Sequence, residues 1–119
     1  MQVGELPVRV EKPWGYELLW AHTEKYVGKL LHIDRGHSLS RQYHVQKEET
    51  LLVLSGTLVL EIGEAPDIVR TEIGKDARFH LPPRTVHRMT AATDCDLVEV
   101  STPELDDVVR LEDRYGRAK

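Results

Sequence analysis

The sequence predicts an all-β domain, a barrel or sandwich of short strands. Three observations carry that expectation. The apolar runs are short and rich in Val, Ile, Leu and Thr, the residues that suit a pleated, half-buried surface. Turn-forming residues, namely Gly36, Gly56, Gly63, Gly74 and the pair Pro82-Pro83, fall between those runs at regular spacing. Sustained helical periodicity is scarce.

Taken in order, the expected strands are 26–33, 50–54, 57–62, 68–73, 78–81, 87–91 and 97–101. Ser55-Gly56 reads as a tight hairpin turn, because glycine tolerates the positive φ such turns need. The segment 103–114 starts acidic, with Glu104, Asp106 and Asp107, and ends basic, with Arg110 and Arg114. That polarity suits a helix dipole, and Leu105, Val108, Val109 and Leu111 supply one apolar face, so a short C-terminal helix or an ordered tail is expected. The 119 residues make one domain (1–119), with a barrel core at 25–102 and flanking arms at 1–24 and 103–119.

A domain of this size buries a core without metal or disulfide staples, so any metal is expected to be functional rather than structural. Sixteen Lys and Arg against 20 Asp and Glu give a net charge of −4. That balance argues against nucleic acid or an anionic membrane as a main partner. No apolar run approaches the roughly 18 residues of a membrane span. Cys95 is the single cysteine, so no internal disulfide forms, and a cytoplasmic setting is the simplest expectation. Barrels of this kind leave edges that pair with a second copy, which predicts a homodimer.

The chemistry-bearing segment runs from Gly36 to Gly56, GHSLSRQYHVQKEETLLVLSG. Gln42 and His44 are two apart, so on a strand they share a face. Glu49 follows a polar stretch, and a strand running back antiparallel would bring it beside them. His87 follows the Pro82-Pro83 turn. Two imidazoles, a carboxylate and an amide carbonyl from three strands suit one divalent ion, Zn, Mn, Co, Ni or Fe. By formal counting such a site keeps about one unit of positive charge, which suits a Lewis acid. A Gln-x-His pair alone is a weak signal.

The spacing of Gly36, His44, Glu49 and Gly56 resembles the first motif of the cupin superfamily, with Gln42 in place of its first histidine. Pro82 and His87 resemble the second motif. Gly74 lies two residues early, Arg84 replaces a glycine and Ala91 an asparagine. A narrower resemblance covers nearly the whole chain. Lys12-Pro-Trp-Gly-Tyr-Glu17, Ser40 to His44, Val53 to Thr57, Thr85-Val-His-Arg88 and Arg110-Leu-Glu-Asp-Arg-Tyr-Gly-Arg117 look like the C-terminal cupin domain of type II mannose-6-phosphate isomerases. Those domains are often fused to a mannose-1-phosphate guanylyltransferase, a domain this sequence lacks. That family also has glutamine at the position of Gln42. It usually carries further histidines where this chain has Val45 and Gln46, and His-Trp where it has Thr50-Leu51.

The resemblance implies a jelly-roll barrel and a metal-dependent aldose–ketose isomerase acting on a sugar or sugar phosphate through an enediolate. A metal- and carbohydrate-binding module without catalysis is the alternative, and an iron-dependent oxygenase ranks last. Lys47, Glu99 and His80 are the candidate catalytic bases. The commoner reading of such a lysine is a solvated loop residue. Glu99 and His80 each face the interior or the solvent, depending on strand phase. Arg84 and Arg88 are the candidate contacts for an anionic substrate. Trp14 and Tyr16 are expected to pack the N-terminal segment against the barrel or a partner subunit, and the sequence leaves open whether the tail with Arg114, Tyr115 and Arg117 closes over the site.

Overall fold

The computed structural model describes residues 3–118. Eleven strands form two antiparallel sheets, and the described residues contain no helix. They are β1 (Val8–Lys12), β2 (Gly15–His22), β3 (Val27–Ile33), β4 (Arg41–Tyr43), β5 (Glu49–Ser55), β6 (Leu58–Ile62), β7 (Val69–Ile73), β8 (Arg78–Leu81), β9 (His87–Ala91), β10 (Cys95–Ser101) and β11 (Val109–Glu112). One sheet has the order β1-β2-β3-β10-β5-β8, the other β11-β4-β9-β6-β7.

Period-two alternation builds the core. Leu31 and Ile33 on β3, Leu51 and Val53 on β5, and Cys95 and Leu97 on β10 point inward from the first sheet. Leu58 and Leu60 on β6 and Met89 and Ala91 on β9 meet them from the second. Each fully buried Leu or Ile contributes about 1.5–3 kcal/mol through removal of apolar surface from water. The same alternation carries polar groups inside. Glu49 precedes Leu51, Glu99 follows Leu97, and His87 precedes Met89, so all three share the inward phase and are buried.

The structure corrects three expectations. The expected C-terminal helix is a strand, β11, paired with β4 through Val109↔Tyr43 and Arg110↔Gln42. Asp107 serves a turn rather than a helix dipole, since its carboxylate accepts hydrogen bonds from three backbone amides. Ser55-Gly56 is not a hairpin turn. β5 and β6 lie in different sheets, and the turn passes the chain between them. Gly56 has φ of 88°, and a Cβ there would collide with the Asp94 carbonyl, so the position needs glycine for both reasons. Glu49 does not neighbour Gln42 within one sheet either: β5 lies opposite β4, and the carboxylate reaches across the sandwich.

Both arms carry strands. β1 and β2 extend the first sheet beyond β3, with Trp14, in the turn between them, buried in the core. Beyond β11, Tyr115 donates or accepts a hydrogen bond with His37 Nδ1 at 2.8 Å and stacks on that ring. Asp113 holds Arg117 through two guanidinium contacts. The tail is therefore ordered against the barrel. Among the described residues no helix is long and apolar enough to cross a membrane.

Candidate metal centre

Gln42 on β4 and His87 on β9 are register partners. His44 lies one residue past β4, and Glu49 opens β5 in the opposite sheet. Ligand atoms of His44, Glu49 and His87 lie within 4.8 Å of one another. The two imidazole rings are 5.5 Å apart and tilted by 50°.

The tautomers follow from chemistry. His44 Nδ1 contacts the Asp107 carbonyl oxygen at 2.5 Å, and His87 Nδ1 that of Thr85 at 2.9 Å. A carbonyl oxygen only accepts, so Nδ1 carries the proton in both rings and Nε2 presents a lone pair. Burial lowers both imidazole pKa values, which keeps the rings neutral. Neither Nε2 has a hydrogen-bond partner. Yet His44 Nε2 lies 3.4 Å from Glu49 Oε2, and His87 Nε2 lies 3.8 Å from Glu49 Oε1. Lone pairs thus face a buried carboxylate with no proton between them. Such an arrangement is costly unless a cation sits among them, and the donor set fits a divalent transition ion.

Gln42 lines the same cavity. Its Oε1 accepts a hydrogen bond from Ser40 Oγ at 2.6 Å, which orients the amide and leaves one carbonyl lone pair.

Lys47 is buried, which excludes the solvated-loop reading. Its Nζ lies 2.9 Å from Glu49 Oε2 and 3.2 Å from Glu99 Oε2. Burial opposes its charge, but the Glu99 and Glu49 carboxylates outweigh that and push the ammonium pKa up. Burial likewise opposes ionisation of Glu49, but the charge and hydrogen bond of the Lys47 ammonium hold its carboxyl below the usual range. Glu99 faces inward. Burial, reinforced by the charge of Glu49, raises it to about 7.

The other candidates lie elsewhere. His80 is exposed on β8, and its Nε2 pairs with Glu48 Oε2 at 2.6 Å, outside the cavity. The alternation of β8 points it away, with its partner Thr50 one step out of phase with Glu49. Arg84 has an exposed side chain, and its role is in the backbone. At φ of 67° it adopts the left-handed conformation that favours glycine, and its amide donates to the His44 carbonyl at 2.6 Å. Arg88 points to the outer face of its sheet, as strand alternation requires next to His87. Val45 and Gln46 are exposed in a turn held by Asp107, and so do not line the cavity.

Sequence reasoning missed several lining residues. Lys12 comes from the end of β1, Trp14 from the turn after it, Glu17 from β2 and Lys29 from β3, and Leu105, Val108, Arg110 and Arg117 come from the C-terminal arm. The signal was present in the stretches Lys12 to Glu17 and Arg110 to Arg117, which resembled a family without revealing a place in the fold. Asp107 had no such signal. Its carboxylate accepts from the amides of Val45, Gln46 and Lys47 at 3.0, 2.7 and 2.9 Å, and those bonds hold its pKa low.

Comparison with known proteins gives the family and the fold. Residues 3–113 match the sequence profile of the family described as mannose-6-phosphate isomerase C-terminal. The mannose-1-phosphate guanylyltransferase ManC of Salmonella typhimurium is 34% identical over 114 residues, covering 91% of this chain and 23% of that protein. The xanthan biosynthesis protein XanB of Xanthomonas campestris is 30% identical over 114 residues, covering 92% of this chain and 24% of that protein. The chain thus spans about a quarter of the length of these relatives. Among solved structures, the capsular polysaccharide assembling protein CapF of Staphylococcus aureus superposes with a TM-score of 0.73 at 19% identity, covering 89% of this chain and 34% of that one. KdgF from Halomonas superposes with a TM-score of 0.70 at 18% identity, covering 83% and 90%. At these identities the structural likeness establishes the fold, the double-stranded β-helix of the cupins.

Proposed function

This chain belongs to the mannose-6-phosphate isomerase C-terminal family, and from that premise we propose that it is a metal-dependent aldose–ketose isomerase acting on a sugar or sugar phosphate. The observation that carries the reading is the meeting of two chemistries in one buried cavity. Lone pairs of His44 and His87 face Glu49, and beside them Lys47 bridges Glu49 to Glu99.

His44 Nε2, His87 Nε2, the Glu49 carboxylate and the Gln42 carbonyl would hold the ion. When bound, it supplies positive charge close to substrate oxygens that become anionic during isomerisation. Glu99 takes a proton from one carbon and returns it to the neighbouring one, as a carboxylate tuned to about 7 can do near neutral pH. Lys47 stays protonated. It therefore acts as a fixed charge that positions Glu99 and favours its ionised form, rather than as a base. The cavity also carries Lys12, Lys29, Lys47, Arg110 and Arg117 against Glu17, Glu49 and Glu99. That cationic excess within an acidic protein favours a phosphorylated sugar over a neutral one.

The test is incubation of metal-loaded protein with mannose 6-phosphate and with free aldoses in deuterated water. Interconversion with deuterium uptake beside the carbonyl is expected. No interconversion and no uptake with any of them overturns the proposal. The non-catalytic alternative predicts sugar-induced thermal stabilisation without turnover. The iron-dependent oxygenase reading predicts activity that disappears under anaerobic conditions.

A further inference from the structure

A second charged site lies on the outer face of the β11-β4-β9-β6-β7 sheet, behind the metal cavity. Strand register places five charged residues in one row across it. Glu112 pairs with Arg41, and Arg88 pairs with Glu61, which pairs in turn with Arg70. One step from the Gln42↔His87 pair, Arg41 and Arg88 come side by side. The row therefore reads acid, base, base, acid, base. Two like charges directly opposite one another on adjacent strands repel, and here they lie at the centre of the row.

The carboxylates do not neutralise that centre. Glu61 gives Oε1 to Arg41 at 2.9 Å and Oε2 to Arg70 at 2.5 Å. Both of its oxygens are engaged, so it makes no ion pair with Arg88 despite being its register partner. Glu112 is 63% exposed, and reaches Arg41 and Arg88 only at 3.6 and 3.5 Å. The remaining contact of Arg88 is a long one, Nη2 to Ser38 Oγ at 3.4 Å. The Nε atoms of Arg41 and Arg88 are both buried without a hydrogen-bond partner, and Arg41 as a whole is 5% exposed. Arg114 closes the rim, anchored by Nη1 on the Gly36 carbonyl at 3.1 Å. A groove of ≈ 350 Å³ opens among Arg41, Arg70, Arg88 and Arg114, with Glu61, Val59 and Thr90 as its floor. Four arginines against Glu61 and Glu112 give it a formal excess of two positive charges, in a chain of net charge −4.

We propose that this groove is a binding site for a phosphate-type oxyanion, distinct from the metal cavity. Guanidinium donors in fixed planes recognise tetrahedral oxyanions by paired hydrogen bonds. A dianion here would accept from the unpartnered donors of Arg41 and Arg88 and relieve the repulsion between them. Arg114 would reach it from the rim, and Glu112, weakly held and exposed, would swing aside. The ligand is either free phosphate or the phosphate group of a small ester. The two share this recognition chemistry.

The test is calorimetric titration of the full chain at low ionic strength, with inorganic phosphate and, separately, with glycerol 3-phosphate. Arg88→Gln and the exposed-site variant Arg114→Gln are each expected to weaken a saturable phosphate-binding event, Arg88→Gln by at least about tenfold, as loss of a charge-assisted hydrogen-bond pair implies. Glu112→Gln, a change at an exposed residue that leaves folding intact, is expected to tighten it. Tighter binding of the ester than of phosphate identifies a metabolite as the ligand, and equal binding identifies the free ion. Either supports the site. Absence of saturable binding overturns it. So does binding that Arg88→Gln, Arg114→Gln and Glu112→Gln all leave unchanged, because the anion then sits in the metal cavity. The outcome is independent of isomerase activity.

Discussion

The ammonium of Lys47 lies 3.2 Å from Oε2 of Glu99, and both groups are buried. One is a loop residue two positions before a candidate ligand, and the other lies on β10, between β3 and β5 in the first sheet. Their pairing ties the base proposed for catalysis to the metal centre, because the same ammonium also contacts Glu49.

Removing the cation and removing the base should therefore differ in their effects. Lys47→Met leaves two buried carboxylates close together, and should destabilise the protein by about 3–5 kcal/mol, as loss of one partner from a buried pair does. Glu99→Gln removes the group of raised pKa and keeps its shape, so its cost should stay below about 1 kcal/mol while isomerisation is lost. Urea denaturation of both metal-free variants, alongside turnover of the metal-loaded Glu99→Gln, separates the two effects.

A metal shared by His44, Glu49 and His87 binds the folded chain alone. Saturating ion at a hundredfold excess over its dissociation constant should add about 2.7 kcal/mol to stability. His87→Ala should abolish that gain. A strong chelator should return the wild type to the same melting temperature as the untreated metal-free protein, measured by differential scanning calorimetry.

Asp107 holds the turn at Val45, Gln46 and Lys47, and its carbonyl orients the His44 ring. Asp107→Ala keeps the carbonyl but frees three amides, so the ring loses its fixed placement. Metal affinity should fall about 10–100-fold, the usual effect of disturbing an outer-shell partner. Competition with a chelating dye measures it. Asp107→Asn should lie between the two.

His32 supplies a pH dependence remote from the metal. Its Nδ1 pairs with Asp96 at 2.7 Å, and its Nε2 lies 3.3 Å from Asp34. The hydrogen bond to Asp96 is the main cause that raises its pKa above the ordinary imidazole value. The stabilisation is therefore complete below about pH 6.5, the unfolded value, and disappears as pH rises through the folded value above it. His32→Gln should flatten that part of the stability–pH curve, read from urea midpoints across the range. An unchanged slope would show that this pairing contributes nothing.

Much of the fold was legible because period-two alternation and glycine punctuation are local. β8 and β9 coincide with the expected 78–81 and 87–91, and β3, β5, β6, β7 and β10 start or end within a few residues of expectation. What escaped was set by distant pairing. The run Val109, Arg110, Leu111, Glu112 alternates as a strand, yet with Leu105 and Val108 it also lays out a helical face, and so short a stretch leaves the two open. Only the β4 edge decides for a strand. β1 is mostly exposed and β2 half-buried, so neither shows a clean apolar face. In the site, His44, Glu49 and His87 were visible through motif spacing. The inward phase of Glu99 depends on how β10 lies between β3 and β5, and the cationic lining from Lys12, Arg110 and Arg117 on how the arms fold back. Neither is written in local pattern.

The central claim is that Gln42, His44, Glu49 and His87 together hold one divalent ion. Anomalous-scattering diffraction from crystals grown with manganese or zinc tests it most directly. The expected result is one peak about 2.0–2.3 Å from His44 Nε2, His87 Nε2, a Glu49 oxygen and the Gln42 carbonyl. Absence of a peak at saturating ion, or a peak that these residues do not ligate, would contradict it.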